Sequence, residues 1–558
     1  MMFRPAPAVL LGLVVVAAAT AAPAADRPQW GERLSRNMVS DEKGLPDSFD
    51  PGKPRTGSEE IDPATTRNVR WAVRLGSQTY ASPVVANGKV YIGMNQEQPR
   101  DSRFDSARGV LLCLAEADGK TLWQLAVPKL TRPKWGDWFT VGVSSTPTVE
   151  GDRVYLVTNR CEVVCLDAAG MANGNDGPYT DEARHMADEG KPPIQPGPGD
   201  ADIVWLYDMI GQLGVQPHNA SNCSILLVGD YLYVCTSNGV EWTHKNVMAP
   251  DAPSLIVLEK KTGKLVATDD LKIGPDLYHC QWCSPSWGEV NGKPLVFWGG
   301  GNGWCYAFEP FAVPYLAPRE NTGGGALAMP APPAPPVRGA KGDHSPGAKD
   351  GAPATLKVAW RFICDPGANK APGRASTAPA DPNGPSVCIA MPVPYKNRVY
   401  VASGGDCWHG KKAGRLACID ASKTADTAAA KVWQYDTGRC IATVSIADGL
   451  VYVAGHDGRV HCLDAETGQA FWVHETRGEV CGSTLVADGK VYVGTGKGDL
   501  WVLAAGKDKR VIGQVRVGAP IFTTPVAANG VLYVASHRYL YAVAREAAPK
   551  KPAEPGKP

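Results

Sequence analysis

Residues 442–475 read ATVSIADGLVYVAGHDGRVHCLDAETGQAFWVHE, and their pattern is the strongest indication of the fold. A short strand of small and apolar residues leads to Asp448-Gly449, which supplies the positive φ of a tight hairpin turn before a Leu-Val-Tyr-Val strand. A third strand ends near Asp464, and Trp472 lies in a fourth. Because Val, Ile and Tyr suit a half-buried pleated surface, the stretch predicts four short antiparallel strands, the unit of a β-propeller blade.

The same pattern recurs along the chain. Its first copy is residues 81–93, ASPVVANGKVYIG, and further copies start near Ser145, Cys223, Cys283, Ala390, Ala442, Gly482 and Thr523. That makes eight copies. In the last three, Thr443, Ser483 and Thr524 stand 40 and 41 residues apart, which is the bare period of a four-stranded blade. Earlier spacings are longer, so the earlier blades carry insertions.

The two ends of the repeat region complete each other. The last copy stops after a third strand that ends at Val543, whereas residues 69–73 (VRWAV) precede the first hairpin and contain the expected Trp. Joining both ends in one blade closes the ring and removes open sheet edges. We therefore predict an all-β fold over residues 65–545, an eight-bladed propeller of four-stranded antiparallel blades closed by the N-terminal strand.

Five segments lie outside the blades and differ from them in composition. Arg4, the apolar run at residues 9–19 and Ala22-Pro23-Ala24 match a secretory signal over residues 1–24, which predicts an exported protein, periplasmic or extracellular. Residues 25–64 form a lead whose RPQW start is expected to pack on the ring. The turn-rich insertion 171–199 is expected to be a surface loop. The Pro-rich stretch 310–356 and the tail 546–558 are predicted to be disordered and loose, respectively.

Composition excludes some classes of partner. The chain has 558 residues, and 57 Lys+Arg against 56 Asp+Glu give a net charge of +1. A nucleic-acid binder usually carries a clear basic excess, so we expect no nucleic acid. No stretch after the signal is long and apolar enough to span a membrane. We expect a monomer that binds a small ligand or an exported protein.

The motif at residues 462–468, CLDAETG, with the Val-Tyr-Val strand and the blade Trp, resembles the pyrrolo-quinoline-quinone-like (PQQ-like) repeat. Residues 27–30 (RPQW), 217–224 (PHNASNCS) and 236–240 (TSNGV) add a similarity to secreted planctomycete proteins without an established activity. Two better-understood groups share the repeat. These are the quinoprotein dehydrogenases of alcohols and sugars, and the propeller lipoprotein of the outer-membrane protein assembly machinery.

The resemblance to the dehydrogenases implies a quinone near the ring axis, Ca²⁺ bound by carboxylate and amide oxygens, and a carboxylate base. Many members also have two adjacent cysteines, and this chain has no Cys-Cys pair. Its one C-x-x-C, from Cys280 to Cys283, is followed by Ser284 and not by the His of a covalent haem site. The assembly lipoprotein needs a lipidated Cys, but the first cysteine here is Cys113.

We therefore expect a ligand- or protein-binding scaffold more than an enzyme, with no catalytic residues assigned. A dehydrogenase that uses PQQ with Ca²⁺ and an assembly factor-like scaffold stay open as alternatives. A sugar-binding propeller is a further possibility, which exposed aromatic residues lining a groove would support.

The strand nearest the axis is the first in each blade, and aligning the hairpins predicts what it presents. The positions that match Tyr80 are Ser144, Asn222, Gln281 or Trp282, Ile389, Ile441, Cys481 and Phe522. This mixed lining suits a small polar and aromatic ligand; alternatively, these side chains only plug the channel. The candidate cofactor-binding residues are Tyr80, Ser144, Asn222, Gln281, Cys481 and Phe522.

A second set lies in the predicted loops of blades three and four. His218, Asn219, His244 and His279 are candidates for a ligand or partner face, because imidazole and amide groups can orient a ligand or a metal. The alternative is that they are separate surface and turn residues. No second C-x-x-C or H-x₃-H stands nearby, so no metal site is assigned.

The cysteines number 15. Four of them (Cys113, Cys165, Cys418 and Cys462) share the third-strand position and are expected to be small buried apolar residues. Cys223 and Cys235 flank the turn at Gly229-Asp230, so a disulfide between them is a possibility.

Overall fold

The computed structural model describes residues 25–31, 33–131, 136–312, 352–365, 386–405, 412–423 and 427–545. The predicted signal at 1–24, residues 313–351 of the predicted disordered stretch, and the tail 546–558 lie outside the described residues. No helix within the described ranges is long and apolar enough to cross a membrane.

The described chain is nearly all β, and its strands are listed here in chain order. They are β1 (Val39–Ser40), β2 (Val69–Arg74), β3 (Val84–Ala86), β4 (Lys89–Gln96), β5 (Arg108–Ala115), β6 (Thr121–Pro128), β7 (Thr148–Glu150), β8 (Arg153–Val157), β9 (Glu162–Asp167), β10 (Ile203–Asp208), β11 (Leu226–Val228), β12 (Tyr231–Cys235), β13 (Leu255–Glu259), β14 (Leu265–Thr268), β15 (Ser286–Val290), β16 (Lys293–Gly299), β17 (Trp304–Phe308), β18 (Ala354–Thr355), β19 (Val358–Ile363), β20 (Val393–Tyr395), β21 (Arg398–Gly404), β22 (Ala413–Asp420), β23 (Lys431–Gly438), β24 (Ser445–Ala447), β25 (Leu450–Ala454), β26 (Arg459–Asp464), β27 (Ala470–Glu475), β28 (Leu485–Ala487), β29 (Lys490–Gly494), β30 (Asp499–Ala504), β31 (Val511–Arg516), β32 (Val526–Ala528), β33 (Val531–Ala535) and β34 (Tyr539–Val543).

The helices in the same ranges are short. They are α1 (Glu182–His185), α2 (Met209–Leu213), α3 (Thr427–Ala430) and single 3₁₀ turns at Pro63–Thr65, Gly170–Asn173 and Gly274–Asp276.

These strands form eight antiparallel four-stranded blades, which confirms the predicted propeller. Blade 1 is β3–β6, blade 2 is β7–β10, blade 3 is β11–β14, and blade 4 is β15–β17 with β19. Blades 5, 6 and 7 are β20–β23, β24–β27 and β28–β31. Blade 8 contains β32–β34 and takes β2 as its outer strand, with Ala72 paired to Tyr541, so the N-terminal strand closes the ring as predicted.

Among the described residues, five of the eight blades dock on the next through the Trp of their fourth strand. The indole N–H of Trp123 donates to the Ala168 carbonyl at 3.0 Å, and that of Trp433 donates to the Ala465 carbonyl at 3.0 Å. The accepting carbonyl lies in the turn after the third strand of the following blade. Trp71, Trp205 and Trp472 make the same bond at 2.9, 3.1 and 2.9 Å. In these five blades the Trp is therefore an inter-blade contact whose indole N–H is satisfied. In blade 4 the buried indole N–H of Trp360 has no hydrogen-bond partner among the residues that the structure describes.

A ring of hydroxyl groups surrounds the axis. In seven blades a Ser or Thr precedes the first strand, and in most of them its backbone N–H donates to the hydroxyl of the next blade. The bonds run from Ser82 to Thr146, Thr146 to Ser224, Ser224 to Ser284, Met391 to Thr443, Thr443 to Ser483, Ser483 to Thr524 and Thr524 to Ser82, at 2.8–3.2 Å. Blade 5 has Met391 at this position, so the pattern is interrupted between blades 4 and 5. The ring satisfies backbone donors that the short inner strands leave unpaired.

The lead packs against the ring on the axis. The Trp30 indole N–H donates to the Ser82 hydroxyl at 3.1 Å, which joins the lead to the hydroxyl ring. Further along, β1 pairs in parallel with β28, the first strand of blade 7.

Arg36 fixes the lead beneath blades 3 and 4. Its side chain is fully buried and donates at 2.9–3.1 Å to four backbone carbonyls, those of Trp30, Ser224, Ile225 and Pro285. Desolvation by burial lowers the pKa of Arg36 to about 10, so the guanidinium stays charged at neutral pH. A buried cation held by carbonyl oxygens is costly to remove, because each acceptor then loses its donor.

The insertion 171–199, expected to form a surface loop, includes α1, and the side chains of Glu182 and His185 there are buried. The His185 ring lies 3.0 Å from the carboxylate of Glu162 on β9. A buried carboxylate on the blade thus provides a polar partner that draws the insertion onto the ring.

The structure confirms the burial predicted for four cysteines but not the disulfide suggested for another two. Cys113, Cys165, Cys418 and Cys462 are buried as predicted, and desolvation raises the pKa of Cys113 to about 12. Cys223 and Cys235 are both free thiols. The Cys235 backbone N–H instead donates to the Cys223 sulfur at 3.1 Å, so the suggested disulfide is not formed.

Candidate functional site: the axial cavity

A cavity of about 870 Å³ opens where the eight blades converge. Every blade contributes the residue two positions before its hydroxyl-ring position. These residues are Tyr80, Ser144, Asn222, Trp282, Ile389, Ile441, Cys481 and Phe522. The same eight residues also border a narrower channel of about 140 Å³, which continues past the hydroxyl ring to Trp30.

Five of the six predicted cofactor-binding residues line this cavity, namely Tyr80, Ser144, Asn222, Cys481 and Phe522. Gln281 does not line it, and Trp282 occupies that position instead. In every blade the lining residue lies two positions before the hydroxyl-ring position. In blade 4 that position is Ser284, so the lining residue is Trp282. The Gln281 side chain is buried behind the wall, and its amide atoms have no hydrogen-bond partner among the residues that the structure describes.

One wall of the cavity is a rigid aromatic surface. The rings of Tyr80 and Phe522 stack at 6.0 Å with 24° between their planes, and His537 packs edge-on against both, at 5.4 and 5.0 Å. His537 Nδ1 accepts the Thr79 backbone N–H at 3.2 Å. Desolvation lowers the pKa of His537 to about 4, so this wall carries no charge at neutral pH.

Two tryptophans stand exposed at the cavity mouth. Trp138 and Trp242 both line the cavity, and they are 41% and 55% exposed. The Trp138 backbone N–H donates to the Asn219 carbonyl at 2.6 Å, which ties this loop to blade 3. Phe139 beside it is 62% exposed but does not line the cavity. Sequence reasoning missed both tryptophans because they lie in loops outside the repeated phrase.

The polar groups of the lining are mostly uncharged. Gln78 accepts the Tyr80 hydroxyl at 2.9 Å, and the amides of Asn219 and Asn222 face the same space. Among the lining residues that the structure describes, Glu479 is the one carboxylate, and none is Lys or Arg. The described cavity therefore offers aromatic faces, amides and hydroxyls with a slight negative bias.

The predicted ligand or partner face divides between the cavity and the wall behind it. His218, Asn219 and His244 line the cavity, whereas His279 is fully buried next to them. The His218 ring centroid lies 4.8 Å from that of His244 and 4.3 Å from that of His279. The rings of His244 and His279 stack at 5.0 Å with 2° between their planes. The three imidazoles, expected in sequence only as loop residues, form one cluster, which we call the histidine cluster.

The backbone around the histidine cluster is built for close approach. A Cβ at Gly239 would lie 2.7 Å from the His218 Cβ and 2.7 Å from the His279 carbonyl oxygen, so a glycine is required there. His218 Nδ1 lies 2.6 Å from the Val240 carbonyl oxygen, and its Nε2 lies 3.0 Å from the Asn219 amide nitrogen. Nδ1 therefore carries the proton and donates to the carbonyl, which leaves Nε2 as the atom with a lone pair.

His244 sits in a loop that a carboxylate organises. Glu241 accepts the backbone N–H groups of Thr243, Lys245 and Asn246 at 2.5, 3.2 and 3.3 Å. His244 takes φ 59°, in the left-handed region that costs energy for a non-glycine residue. The loop thus holds the imidazole in a position that an unstrained backbone would not give.

Comparison with known proteins identifies the repeat. The family model described as "Outer membrane protein assembly factor BamB" matches residues 107–173 and 403–512, about a third of the chain. Two curated relatives carry that same name. The protein from Nitrosomonas eutropha is 33% identical over 87 residues, which is 16% of this chain and 21% of the relative. The protein from Burkholderia pseudomallei is 33% identical over 109 residues, 19% of this chain and 28% of the relative. The matches thus span less than a third of either relative's length.

Solved structures show a likeness over the whole ring. The Europium-containing methanol dehydrogenase matches with a TM-score of 0.54 and 10% identity, over 93% of this chain and 98% of that chain. The quinohemoprotein alcohol dehydrogenase ADHIIG from Pseudomonas putida HK5 matches with a TM-score of 0.52 and 12% identity, over 95% and 82%. At these identities the likeness concerns the fold alone.

The fold and the axial cavity define a closed-ring propeller with a ligand-sized opening on its axis. Together with the family match over about a third of the chain, they support a PQQ-like β-propeller. The similarity to secreted planctomycete proteins stays a prediction.

The cofactor in the name of the repeat can be tested against the lining. The flat wall of Tyr80 and Phe522 matches a fused-ring quinone in shape. PQQ is also a polycarboxylate, however, and the described lining supplies no Lys or Arg to balance it. Ca²⁺ and a separate base need more than one carboxylate, and Glu479 is the one that the described lining has. The described residues therefore match PQQ with Ca²⁺ in shape but not in charge.

Proposed function

We propose that this protein is an exported ligand-binding propeller that takes an uncharged ring compound, a carbohydrate in the first place, in its axial cavity. The observation that carries the proposal is the pair of exposed indoles, Trp138 and Trp242, at the mouth of the cavity. Large aromatic side chains left in water beside a concave site mark binding surfaces more often than isolated exposed residues do. They offer a broad apolar face with little conformational entropy to lose.

The lining behind the mouth supports the same class of ligand. A sugar ring has an apolar C–H face, which packs on an aromatic plane, and a rim of hydroxyls, which needs donors and acceptors. Trp138, Trp242 and Trp282 provide planes, while Asn222, Ser144 and Gln78 provide hydrogen-bonding groups. A few polar groups in a mainly apolar pocket fix the orientation of a small ligand.

Charge favours an uncharged ligand over an acidic one. Glu479 contributes a negative charge, and the described lining holds no Lys or Arg to attract a carboxylate or a phosphate. Bringing a second negative charge into a partly dehydrated site next to Glu479 costs binding free energy. We therefore expect neutral oligosaccharides to bind more tightly than uronic acids of the same length.

The test is a binding titration followed by Trp fluorescence and calorimetry. The panel contains neutral mono- and oligosaccharides, uronic acid oligomers, and PQQ with and without Ca²⁺. Trp242→Ala and Trp138→Ala are expected to weaken the binding of neutral sugars by about tenfold or more, which corresponds to about 1.4 kcal/mol for a lost aromatic contact. Leu122→Ala is the control, since Leu122 on β6 is as exposed as Trp138, at 41%, and does not line the cavity.

Two results would contradict this proposal. One is the absence of saturable binding for every neutral sugar together with tight binding of PQQ that depends on Ca²⁺, which would favour the dehydrogenase. The other is an equal loss in Leu122→Ala and Trp242→Ala, which would separate binding from the cavity.

Export is part of the proposal. It is supported by the signal-like residues 1–24 and by the relatives from Nitrosomonas eutropha and Burkholderia pseudomallei, whose name places their function at the outer membrane. Fractionation of the native host, with N-terminal sequencing of the purified protein, tests it. Cleavage after residue 24 is expected, and a cytoplasmic protein with Met1 intact would contradict export.

A second candidate function is a scaffold for another protein. The family match supports it, because residues 107–173 and 403–512, in blades 1–2 and 5–7, match the outer membrane protein assembly factor model. Crosslinking in the native envelope distinguishes the two. Crosslinks to one partner from the matched blades, with no effect of Trp242→Ala, would favour the scaffold.

A further inference from the structure

The histidine cluster stands apart from the rest of the cavity wall. His218 precedes β11, His244 lies between β12 and β13, and His279 precedes β15, so three separate segments of chain bring their imidazoles to one point. One ring nitrogen from each side chain lies within 4.8 Å of the others. Around a tetrahedral zinc with Zn–N distances of about 2.0–2.1 Å, such nitrogens lie roughly 3.3 Å apart. Small side-chain rotations separate the two arrangements.

The geometry points to a divalent transition-metal site formed by His218, His244 and His279, with zinc as the favoured ion. This site goes beyond the proposed sugar binding, since it needs no organic ligand to form. Imidazole nitrogens suit zinc, copper, nickel and iron, whereas Ca²⁺ and Mg²⁺ require oxygen ligands.

The hydrogen bond behind His218 is the first support. A metal-binding histidine usually donates its other ring N–H to a carbonyl or carboxylate, which fixes both the tautomer and the direction of the ring. His218 does so, with Nδ1 at 2.6 Å from the Val240 carbonyl oxygen. Its Nε2 accepts from the Asn219 amide at 3.0 Å. Asn219 lines the open cavity, so the amide has room to rotate away when an ion binds.

The backbone provides the second support. A Cβ at Gly239 would lie 2.7 Å from the His218 Cβ and from the His279 carbonyl oxygen, and the Val240 N–H donates to that oxygen at 3.0 Å. His244 is held at φ 59° by the Glu241 loop. Strained or glycine-dependent backbone that converges on one cluster of side chains is typical of a site built for a ligand.

The cluster also has the layout of a site with an open position. Three protein ligands leave a fourth tetrahedral position for water or an added ligand. His218 and His244 line the axial cavity while His279 lies buried behind them, so the open position faces the cavity. A metal there would bind a donor atom, such as a sugar hydroxyl, of whatever enters.

The test uses tag-free protein dialysed against EDTA and titrated with Zn²⁺ by calorimetry. Co²⁺ is the spectroscopic probe, because its visible d–d bands report tetrahedral coordination. We expect one ion per chain and a rise in melting temperature with Zn²⁺, since an ion that binds only the folded state stabilises it. His244→Ala and His279→Gln are expected to weaken Zn²⁺ binding by at least the 10–100-fold that the loss of a supporting partner costs.

His474→Gln is the matched control. His474 is buried on β27, far along the chain from the cluster, and its loss is expected to leave Zn²⁺ binding unchanged. His244 is partly exposed in a loop, so His244→Ala keeps the test decisive where the buried His279→Gln fails to fold. No saturable Zn²⁺ or Co²⁺ binding to the parent protein, or equal binding to His244→Ala, would overturn the site.

The sugar titration, repeated with EDTA and with Zn²⁺, separates this inference from the proposed function. Sugar binding without any metal binding overturns the metal site and leaves the cavity proposal intact. Zn²⁺ binding that His244→Ala abolishes, with no sugar bound, supports the metal site and counts against the sugar.

Discussion

Blades 6 to 8 and blades 3 to 4 share one architecture but use it differently. Blade 6 runs from β24 to β27 over residues 445–475 with tight turns between its strands, and Thr443, Ser483 and Thr524 continue the hydroxyl ring through this half. Blades 3 and 4 repeat the same strands, but their inter-strand and inter-blade segments carry His218, His244 and His279. The repeat therefore provides stability and closes the ring, whereas the segments that depart from the repeat provide the candidate site.

We expect the greatest loss of stability where Arg36 of the lead contacts blades 3 and 4. Arg36→Met removes the donor of four buried carbonyls and is expected to lower the free energy of unfolding by about 3–5 kcal/mol. Arg33→Met is the control, since Arg33 is exposed, and a change within about 0.5 kcal/mol is expected. Denaturant titration measures both. A loss below about 1 kcal/mol for Arg36→Met would show that the lead is not fixed by this residue.

Gly239→Ala tests the packing of blades 3 and 4 around the histidine cluster. The added Cβ meets His218 and the His279 carbonyl at 2.7 Å, so a loss of about 1–3 kcal/mol in unfolding free energy is expected, together with weaker Zn²⁺ binding. Gly199→Ala has open space around it and is expected to be neutral or slightly stabilising. Equal stability of the two variants in thermal melting would count against a tightly built cluster.

A substitution that conserves side-chain shape tests the hydroxyl ring in the regular blades 6 to 8. Thr443→Val removes the acceptor of the Met391 N–H, a buried bond of 3.0 Å, and is expected to cost about 1–2 kcal/mol of unfolding free energy. Thr443→Ser keeps the hydroxyl and should lose less. Zn²⁺ and sugar binding should stay unchanged in Thr443→Val. A loss of either would contradict the separation of roles between blades 6 to 8, which stabilise the ring, and blades 3 and 4, which carry the candidate site.

His537 has the weakest effect on stability at neutral pH, and its contribution is a change in pH dependence. Burial lowers the pKa of His537 to about 4 in the folded protein, from an ordinary value of 6.5. Between these values the unfolded chain binds a proton that the folded chain does not, so stability falls as the pH drops from 6.5 to 4, by at most about 1.4 kcal/mol per pH unit.

His537→Asn keeps an acceptor for the Thr79 N–H and should flatten that slope between pH 6.5 and 4. Melting temperature against pH measures it. Some slope will remain, because burial also lowers the pKa of His461 to about 4. An unchanged slope in His537→Asn would contradict the buried neutral imidazole in the aromatic wall.

The fold was predictable because its signals are local and repeat. Each hairpin has its own turn residues, such as Asp448-Gly449. The strand that contains Trp71 precedes the first hairpin, and the last copy of the repeat lacks a fourth strand, so the two could be assigned to one blade. The axis lining followed from the same register. Gln281 was the exception, because two residues fitted the alignment near Cys280, and only the Ser284 position in the hydroxyl ring selects Trp282.

The rest of the candidate site depends on loops that have no repeat to align. Trp138, Trp242 and Glu479 reach the cavity from segments outside the repeated phrase, so their sequence positions carried no signal. The sequence could place three histidines in the loops of blades 3 and 4, but it could not show that their side chains lie close together. These are His218, His244 and His279. Their convergence depends on the packing around Gly239 and on the left-handed backbone at His244, which only the folded chain determines.

Hydrogen–deuterium exchange with and without the tightest-binding neutral sugar tests most directly whether the site lies at blades 3 and 4 and not at blades 6 to 8. We predict added protection in residues 136–144, 216–222 and 238–247, which border the cavity mouth, and no change in β25, β26, β29 and β30. Protection confined to blades 6 and 7, or none at a saturating sugar concentration, would contradict the axial cavity as the binding site.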